Sequence, residues 1–362
     1  MIDRALWLVS ALLTAGAVQA GGLQGPISNE VAREIVGQTS TATVAAGGNP
    51  IYIPPKPQYS GVVGLRMDFG AAGAFVCSGS LLNRRSVLTA AHCVTNGGQK
   101  PLSTTVHFYG GPFDLDVYSA ASAALVTKIT VGFHHVHPLY TEEVVDENDI
   151  AVLKLTADAP AFAPRYALSG LTDLTGVAHE IAGYGLRSLS GGANGTLPGF
   201  ALAPGRLRSA DNRFDFRLGD PDFGGFFAGF FGTAPFANVW ITDFDNNTPG
   251  FDASCVLGSL LGLGGPKYCH VGVGPREGIG AGGDSGAPYF VDGKVAAVHS
   301  FGWAAFGGTS ANRFGMFKGA VPVYLHRDYI LAHIPEPSTW ALMIAGFGLV
   351  GGRLRRRRLT AA

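Results

Sequence analysis

A serine set among glycines constrains this chain more than any other stretch: Gly280-Ala281-Gly282-Gly283-Asp284-Ser285-Gly286-Ala287-Pro288. Glycine takes up backbone conformations that a side chain forbids. The stretch therefore reads as a tight loop that offers a hydroxyl and neighbouring backbone N–H groups to a substrate carbonyl. A serine hydroxyl is a poor nucleophile near neutral pH until a base takes its proton. The candidate base is His92, far upstream in Leu88-Thr89-Ala90-Ala91-His92-Cys93. A candidate acid to orient it, Asp149, lies between them in Asn148-Asp149-Ile150-Ala151. Each residue type is common, so only the three contexts together carry weight.

The order His, Asp, Ser, with Cys77 and Cys93 around the histidine, resembles the trypsin/chymotrypsin-type serine proteases. Subtilisins and α/β-hydrolases use other orders, and Ala287 breaks the Gly-x-Ser-x-Gly pattern of the latter. The resemblance covers residues 59–334 and is weak between 186 and 278. It implies an all-β, chymotrypsin-like fold of two six-stranded antiparallel Greek-key barrels with a short C-terminal helix over residues 323–334. The protease domain would span 58–334, with barrel one over 58–160, a crossover at 160–165 and barrel two over 165–322. Short β-type runs at 61–69, 74–82 and 86–90, separated by turn residues, agree with this.

The resemblance also implies roles. Ser285 attacks the peptide carbonyl, His92 takes its proton and returns it to the leaving amine, and Asp149 holds the imidazole tautomer. The N–H groups of Gly283 and Ser285 form the oxyanion hole, each donor contributing about 3 kcal/mol. Asp284 sets the conformation of the serine loop. Cys77 with Cys93, and Cys255 with Cys269, match two family disulfides, and an even cysteine count suits an oxidising compartment. The other possibility is four buried thiols. A further family disulfide beside the serine loop is missing, because Ala281 holds its place, which implies a looser loop. Ser300-Phe301-Gly302 stands where the family's Ser-Trp-Gly pairs with substrate backbone and walls the specificity pocket. Counting back from Ser285 puts Ile279 at the pocket floor. An apolar floor offers a basic side chain no countercharge, so apolar or small residues are expected before the cut. A slip of a residue or two in the count would bring Glu277 into the pocket.

Both ends carry export signals. Residues 1–20 read as a signal peptide: Arg4, an apolar run over 5–17, and Val18-Gln19-Ala20 as the cleavage site. Residues 21–57 form a leader or propeptide. Within it, Arg33-Glu34-Ile35-Val36-Gly37 resembles the family's activation site, where cleavage frees an Ile-Val-Gly terminus whose ammonium pairs with the acid before the serine. Two departures stand against that match: Glu34 is not basic, and the leader is long. Residues 335–358 resemble a PEP-CTERM sorting tail, with Pro335-Glu336-Pro337, an apolar stretch over 340–352, then Arg353 and Arg355 to Arg358. Thirteen apolar residues make a helix of about 20 Å at ~1.5 Å per residue, against a ~30 Å hydrocarbon core. The tail is thus suited to transient membrane insertion, with its arginines held at the cytoplasmic face. The implied partners are an exosortase and a polypeptide substrate. The implied location is across the inner membrane: periplasm, cell surface or extracellular matrix of a bacterium.

With a formal net charge of zero, nothing points to nucleic acid, and no cofactor motif is present. His134, His135 and His137 suggest a metal, but adjacent strand residues face opposite ways and converge poorly on one ion. Asp243, Asp245 and Asn247 begin like a calcium loop that lacks the required glycine and distal glutamate. No metal is expected on these patterns. The Phe/Gly-rich stretch over 220–237 reads as a satellite core, with cleft lining or membrane contact as alternatives. A different class of function is a catalytically inactive homologue displayed on the surface as a binding module. Loss of a triad residue would favour it, and all three are present. An esterase would share the same acyl-transfer chemistry.

Overall fold

Two short leader strands, β1 (Val31–Ala32) and β2 (Val36–Gly37), precede the body of the fold. The computed structural model describes residues 27, 31–32, 35–306 and 311–334. The expected signal peptide over residues 1–20, Arg33, Glu34 and the sorting tail lie outside the described residues.

Alternation builds the first barrel. In β3 (Val62–Asp68), Val63, Leu65 and Met67 are buried while Arg66 and Asp68 face solvent, the period-two pattern of a sheet with one face on a core. It joins β4 (Ala74–Asn83), β5 (Ser86–Thr89), β6 (Ser103–Phe108), β7 (Thr127–Val136) and β8 (Ala151–Leu155). These six close in the order β3-β4-β5-β8-β7-β6 around Leu65, Val87, Val106, Ile129 and Val152. Closure removes the unpaired edges that an open sheet leaves.

The second half uses β9 (Ala178–Gly183), a small ribbon of β10 (Arg187–Ser188) and β11 (Ala201–Leu202), then β12 (Arg208–Arg213), β13 (Phe216–Arg217) and β14 (Trp240–Asp243). β15 (Gly278–Ile279), β16 (Pro288–Val291), β17 (Lys294–Trp303) and β18 (Phe317–Pro322) complete it. The main sheet runs β12-β9-β16-β17-β18-β14-β13, with β1 added to β17, while β15 pairs with β2. This differs from the expected closed six-stranded barrel. The chain leaves β9 at Phe214 and joins β14 at Asp215, whose N–H donates to Ile241 O at 2.8 Å. One segment thus serves both ends of the sheet, and Asn212 Nδ2 bridges the gap to Asp243 O at 2.7 Å.

Two helices follow. α1 (Ala253–Leu260) is capped by Asp252, which accepts the Cys255 N–H at 2.8 Å, a favoured cap for an otherwise unpaired donor. α2 (Arg327–Ala332) follows β18 and buries Ile330 on the first barrel's core. The aromatic stretch folds down as a satellite core: Phe223 and Phe227 are buried with Phe216, Trp303 and Phe317. Among the described residues no helix is long and apolar enough to cross a membrane; the apolar stretch 340–352 lies outside them.

Candidate active site

His92 sits in a single helical turn (Ala91–Cys93) at the end of β5. The Cys77–Cys93 disulfide ties that turn to β4. Asp149 comes from the loop before β8. That loop is shaped by buried Asp146, which accepts the N–H of Asn148 and the N–H and hydroxyl of Thr141 at 2.7 to 2.8 Å. The two residues meet through two bonds: His92 Nδ1 lies 2.7 Å from Asp149 Oδ2, and His92 N donates to Oδ1 at 2.9 Å. Ser300 Oγ donates to the same Oδ2 at 2.5 Å. Burial works against ionising Asp149, but the His92 imidazole and these hydrogen bonds hold its carboxyl below the ordinary value. With Nδ1 donating to Asp149, Nε2 carries the lone pair that a general base needs. Nε2 is buried without a hydrogen-bond partner among the described residues. His92 and Ser285 face a common cavity of about 330 Å³, lined also by Met67, Phe75, Cys77 and Gly283.

Backbone geometry presents the serine. Gly283 and Gly286 take φ values of +93° and +82°, a region that disfavours side chains. Gly282 O accepts the Leu186 N–H at 2.7 Å. A trans peptide points its N–H opposite to its carbonyl, so the Gly283 N–H is aimed away from Leu186. The Gly286 and Ala287 N–H groups are used internally, on His299 O at 2.8 Å and Asp284 O at 2.7 Å.

Asp284 is fully buried. Its Oδ1 accepts Gly185 N–H at 2.8 Å, and its Oδ2 accepts Ala281 N–H at 2.9 Å and the N–H of Ile35. Burial outweighs these donors and pushes its carboxyl up to about 7. Gly183 and Gly185 make room for it, since a Cβ on either would lie 2.2 to 2.5 Å from its carboxylate. Neither those glycines nor Ser78 is among the site residues expected from the sequence. Ser78 Oγ accepts the Tyr184 N–H at 2.9 Å and donates to Gly283 O at 3.0 Å. The glycine pair in Ile181-Ala182-Gly183-Tyr184-Gly185 was the available signal.

The expected substrate edge is occupied in part. Ser300, Phe301 and Gly302 lie on β17, and β1 pairs antiparallel with it in the register Ala32 with Gly302 and Val31 with Trp303. The leader backbone thus lies along the edge on which a substrate strand would pair. Phe301 is fully buried, its ring over Gly319. Ile279 packs with Val36, Phe244, Ala304 and Met316. Beside it the His299 ring lies against Gly280, with Nδ1 2.9 Å from the Tyr289 hydroxyl. Glu277 is buried and accepts N–H groups of Asp245 and Val273, both at 2.7 Å. Burial and the neighbouring Asp243 push its carboxyl up to about 8. Both cysteine pairs form disulfides.

The three clustered histidines diverge. His134 meets Thr104 at 2.9 Å, the His135 ring lies on His333, and the His137 ring lies on His326 and Tyr329.

Comparison with known proteins gives two family matches. Residues 55–198 match the Trypsin family, a span that includes His92 and Asp149 and stops before Ser285. Residues 333–358 match the PEP-CTERM protein-sorting motif. Phenoloxidase-activating enzyme 1 of Spodoptera litura is 26% identical over 137 residues, which is 36% of this chain and 36% of that protein. The chain thus matches little more than a third of that relative's length. The motif marks an exported, exosortase-processed protein of the bacterial cell envelope.

Proposed function

We propose that this chain, which carries a trypsin-family domain and a PEP-CTERM sorting motif, is a serine endopeptidase acting outside the inner membrane through His92, Asp149 and Ser285. The observation that supports it most is the double attachment of His92 to Asp149, with Ser285 on the same cavity. Ser285 Oγ attacks the substrate carbonyl as His92 Nε2 takes its proton. Asp149 stabilises the imidazolium through Nδ1–H. The carbonyl oxygen becomes an oxyanion held by the Gly283 and Ser285 N–H groups. Collapse breaks the C–N bond, His92 protonates the leaving amine, and an acyl-enzyme remains. Water then enters, gives its proton to His92 and releases the acid, returning the proton to Ser285. Apolar Ile279 favours apolar or small side chains before the cut.

Cleavage between Glu34 and Ile35 completes the site in this reading. It converts the Ile35 amide nitrogen, already on Asp284, into an ammonium. It also cuts the leader that runs along β17. The activating enzyme must accept an acidic residue before the cut. The sorting tail inserts transiently in the membrane and is processed by an exosortase.

The test is covalent labelling. A sulfonyl fluoride should modify Ser285 in the cut protein, and Ser285→Ala should lose both labelling and casein cleavage while keeping its thermal unfolding midpoint. A folded protein that neither labels nor cleaves any of a broad peptide library would favour the binding-module reading.

A further inference from the structure

The chain from the end of β12 to the start of β15 gathers buried acids that the peptidase chemistry does not use. Asp215, Asp243, Asp245, Asp252 and Glu277 are each at most 2% exposed. They come from distant points: the β12–β13 junction, the end of β14, the residue but one after it, the cap of α1, and the approach to β15. One carboxylate oxygen from each of Asp243, Asp245 and Asp252 lies within 4.8 Å of the other two. Oxygens bound to one calcium ion at about 2.4 Å lie at most about 4.8 Å apart, so this trio fits a single coordination shell.

Hydrogen bonds account for part of the set. Asp243 Oδ2 accepts the Ser254 N–H at 2.8 Å. Asp252 Oδ1 accepts the Cys255 N–H at 2.8 Å and the Ser254 hydroxyl at 3.2 Å. Asp215 Oδ2 accepts the Asp243 N–H at 2.9 Å, and its Oδ1 lies 3.4 Å from Arg213 Nε. Both oxygens of Glu277 are engaged, one with the Asp245 N–H. Asp245 is the exception: it is 1% exposed and its Oδ1 has no hydrogen-bond partner among the described residues. A buried carboxylate oxygen left bare in this way is costly. Among the described side chains, Arg213 makes the one ion pair with this group of acids.

We propose that Asp243, Asp245 and Asp252 bind a calcium ion, with Glu277 positioning Asp245 from behind. The donors are all oxygens, which suits a hard cation rather than zinc. The linear calcium-loop pattern stops at Asn247. The fold supplies the distant carboxylates instead, by carrying Asp252 back on the cap of α1. The ion would join the end of β14 to the start of α1. Through the Asp245–Glu277 bond it would also brace β15, whose Gly278 and Ile279 pair with Gly37 and Val36 of the activation segment.

The experiment uses the exported, purified protein. Thermal unfolding is followed in EGTA, in excess calcium and in excess magnesium, and calorimetric titration of calcium gives the stoichiometry. The expected result is one calcium bound and a midpoint raised by several degrees over EGTA, with magnesium far less effective. Asp245→Asn should lose the calcium-dependent rise, yet unfold in EGTA no earlier than the wild type, because a repelling charge is gone. Equal midpoints of the wild type in EGTA and calcium would overturn the proposal and leave protons as what neutralises the carboxyls. An equal calcium-dependent rise in Asp245→Asn would place the ion elsewhere, and an equal rise with magnesium would overturn the calcium assignment. Should Asp245→Asn fail to fold, the wild-type stoichiometry still decides, since no bound calcium refutes the site.

Discussion

Asp284 makes the consequence of a cut before Ile35 calculable. In the intact chain its partners are three backbone N–H groups, and holding it ionised against a pKa moved from 3.8 to about 7 costs about 4 kcal/mol. A cut before Ile35 places a positive charge on the nitrogen already bonded to Oδ2. That charge offsets the burial, and removing one partner of such a buried pair typically costs about 3–5 kcal/mol. If the ordered serine loop depends on this pair, cutting should raise kcat/KM by about 10²–10⁴-fold. The assay needs a chain in which residues 30–34 are replaced by the recognition sequence of a site-specific endopeptidase that leaves Ile35 as the new terminus. Hydrolysis of a chromogenic peptide is measured before and after the cut, in the wild type and in Asp284→Asn. The variant, whose amide NH2 cannot accept the N–H groups on one side, should start below the wild type and gain nothing from the cut. The gain should also depend on pH. The Asp284 carboxylate raises the ammonium's folded pKa above its unfolded value of ~7.7, so the gain is complete below that value and is lost as pH rises through the higher one. Equal activity before and after the cut, or a gain retained by Asp284→Asn, would refute the reasoning.

Four further outcomes are expected. Ser300→Ala removes a hydrogen bond to ionised Asp149, an interaction of about 1.5–3 kcal/mol; kcat should fall about ten-fold or more with KM unchanged, and a fall in KM alone would count against a positioning role. Burial holds His179 neutral with its pKa lowered to about 3 and His107 with its pKa lowered to about 4. Unfolded imidazoles take up protons below pH ~6.5 and these do not, so each should withdraw about 2–3 kcal/mol of stability by pH ~4.5. A denaturation midpoint flat over that range would contradict this. Cleavage profiling of the cut enzyme should show apolar or small residues before the scissile bond, whereas strong selection for arginine would remove Ile279 from the pocket floor. Intact-mass analysis of the surface-located protein should show a C-terminus short of Ala362, and a mature form ending at Ala362 would exclude tail processing.

The parts legible in the sequence are those whose information is local. His92 between Ala91 and Cys93, Asp149 after Asn148, and Ser285 among glycines each carry their own turn geometry, and β3 and the first half of β7 follow a period-two pattern. The Trypsin match stops at residue 198, and the resemblance carried by the sequence is weak from residue 186 to 278. There the strands shorten to two residues in β10, β11, β13 and β15, too few for any alternation to show. The open second sheet was hidden for the same reason. Phe214 and Asp215 look like the continuation of a strand, and only the pairing shows that they change partners. The buried acids were illegible because a calcium-loop pattern counts ligands within twelve residues or so, while these reach from Asp215 to Glu277.

The missing disulfide at Ala281 implied a loose serine loop, and the structure holds that loop by other means. Ala281 is buried, and its N–H is one of three that meet Asp284. Ser78 N–H donates to Ser285 O at 2.8 Å, and Gly286 N–H to His299 O at 2.8 Å, which clamps Ser285 between β4 and β17. A net hydrogen bond contributes about 1 kcal/mol and a disulfide about 2–4 kcal/mol, so this set is of comparable strength. The two kinds of restraint behave differently. A disulfide acts largely on the unfolded chain and persists whatever the neighbours do. These hydrogen bonds exist only while both partners are in place, and one of the partners is Ile35. If Ile35 leaves, Asp284 Oδ2 becomes an under-satisfied oxygen on a fully buried carboxylate. A trypsin-family domain that keeps the covalent tie can hold its loop through such a loss. In this chain the order of the loop around Ser285 is tied more directly to the state of the leader, so the absent cysteine and the position of Ile35 are two sides of one arrangement.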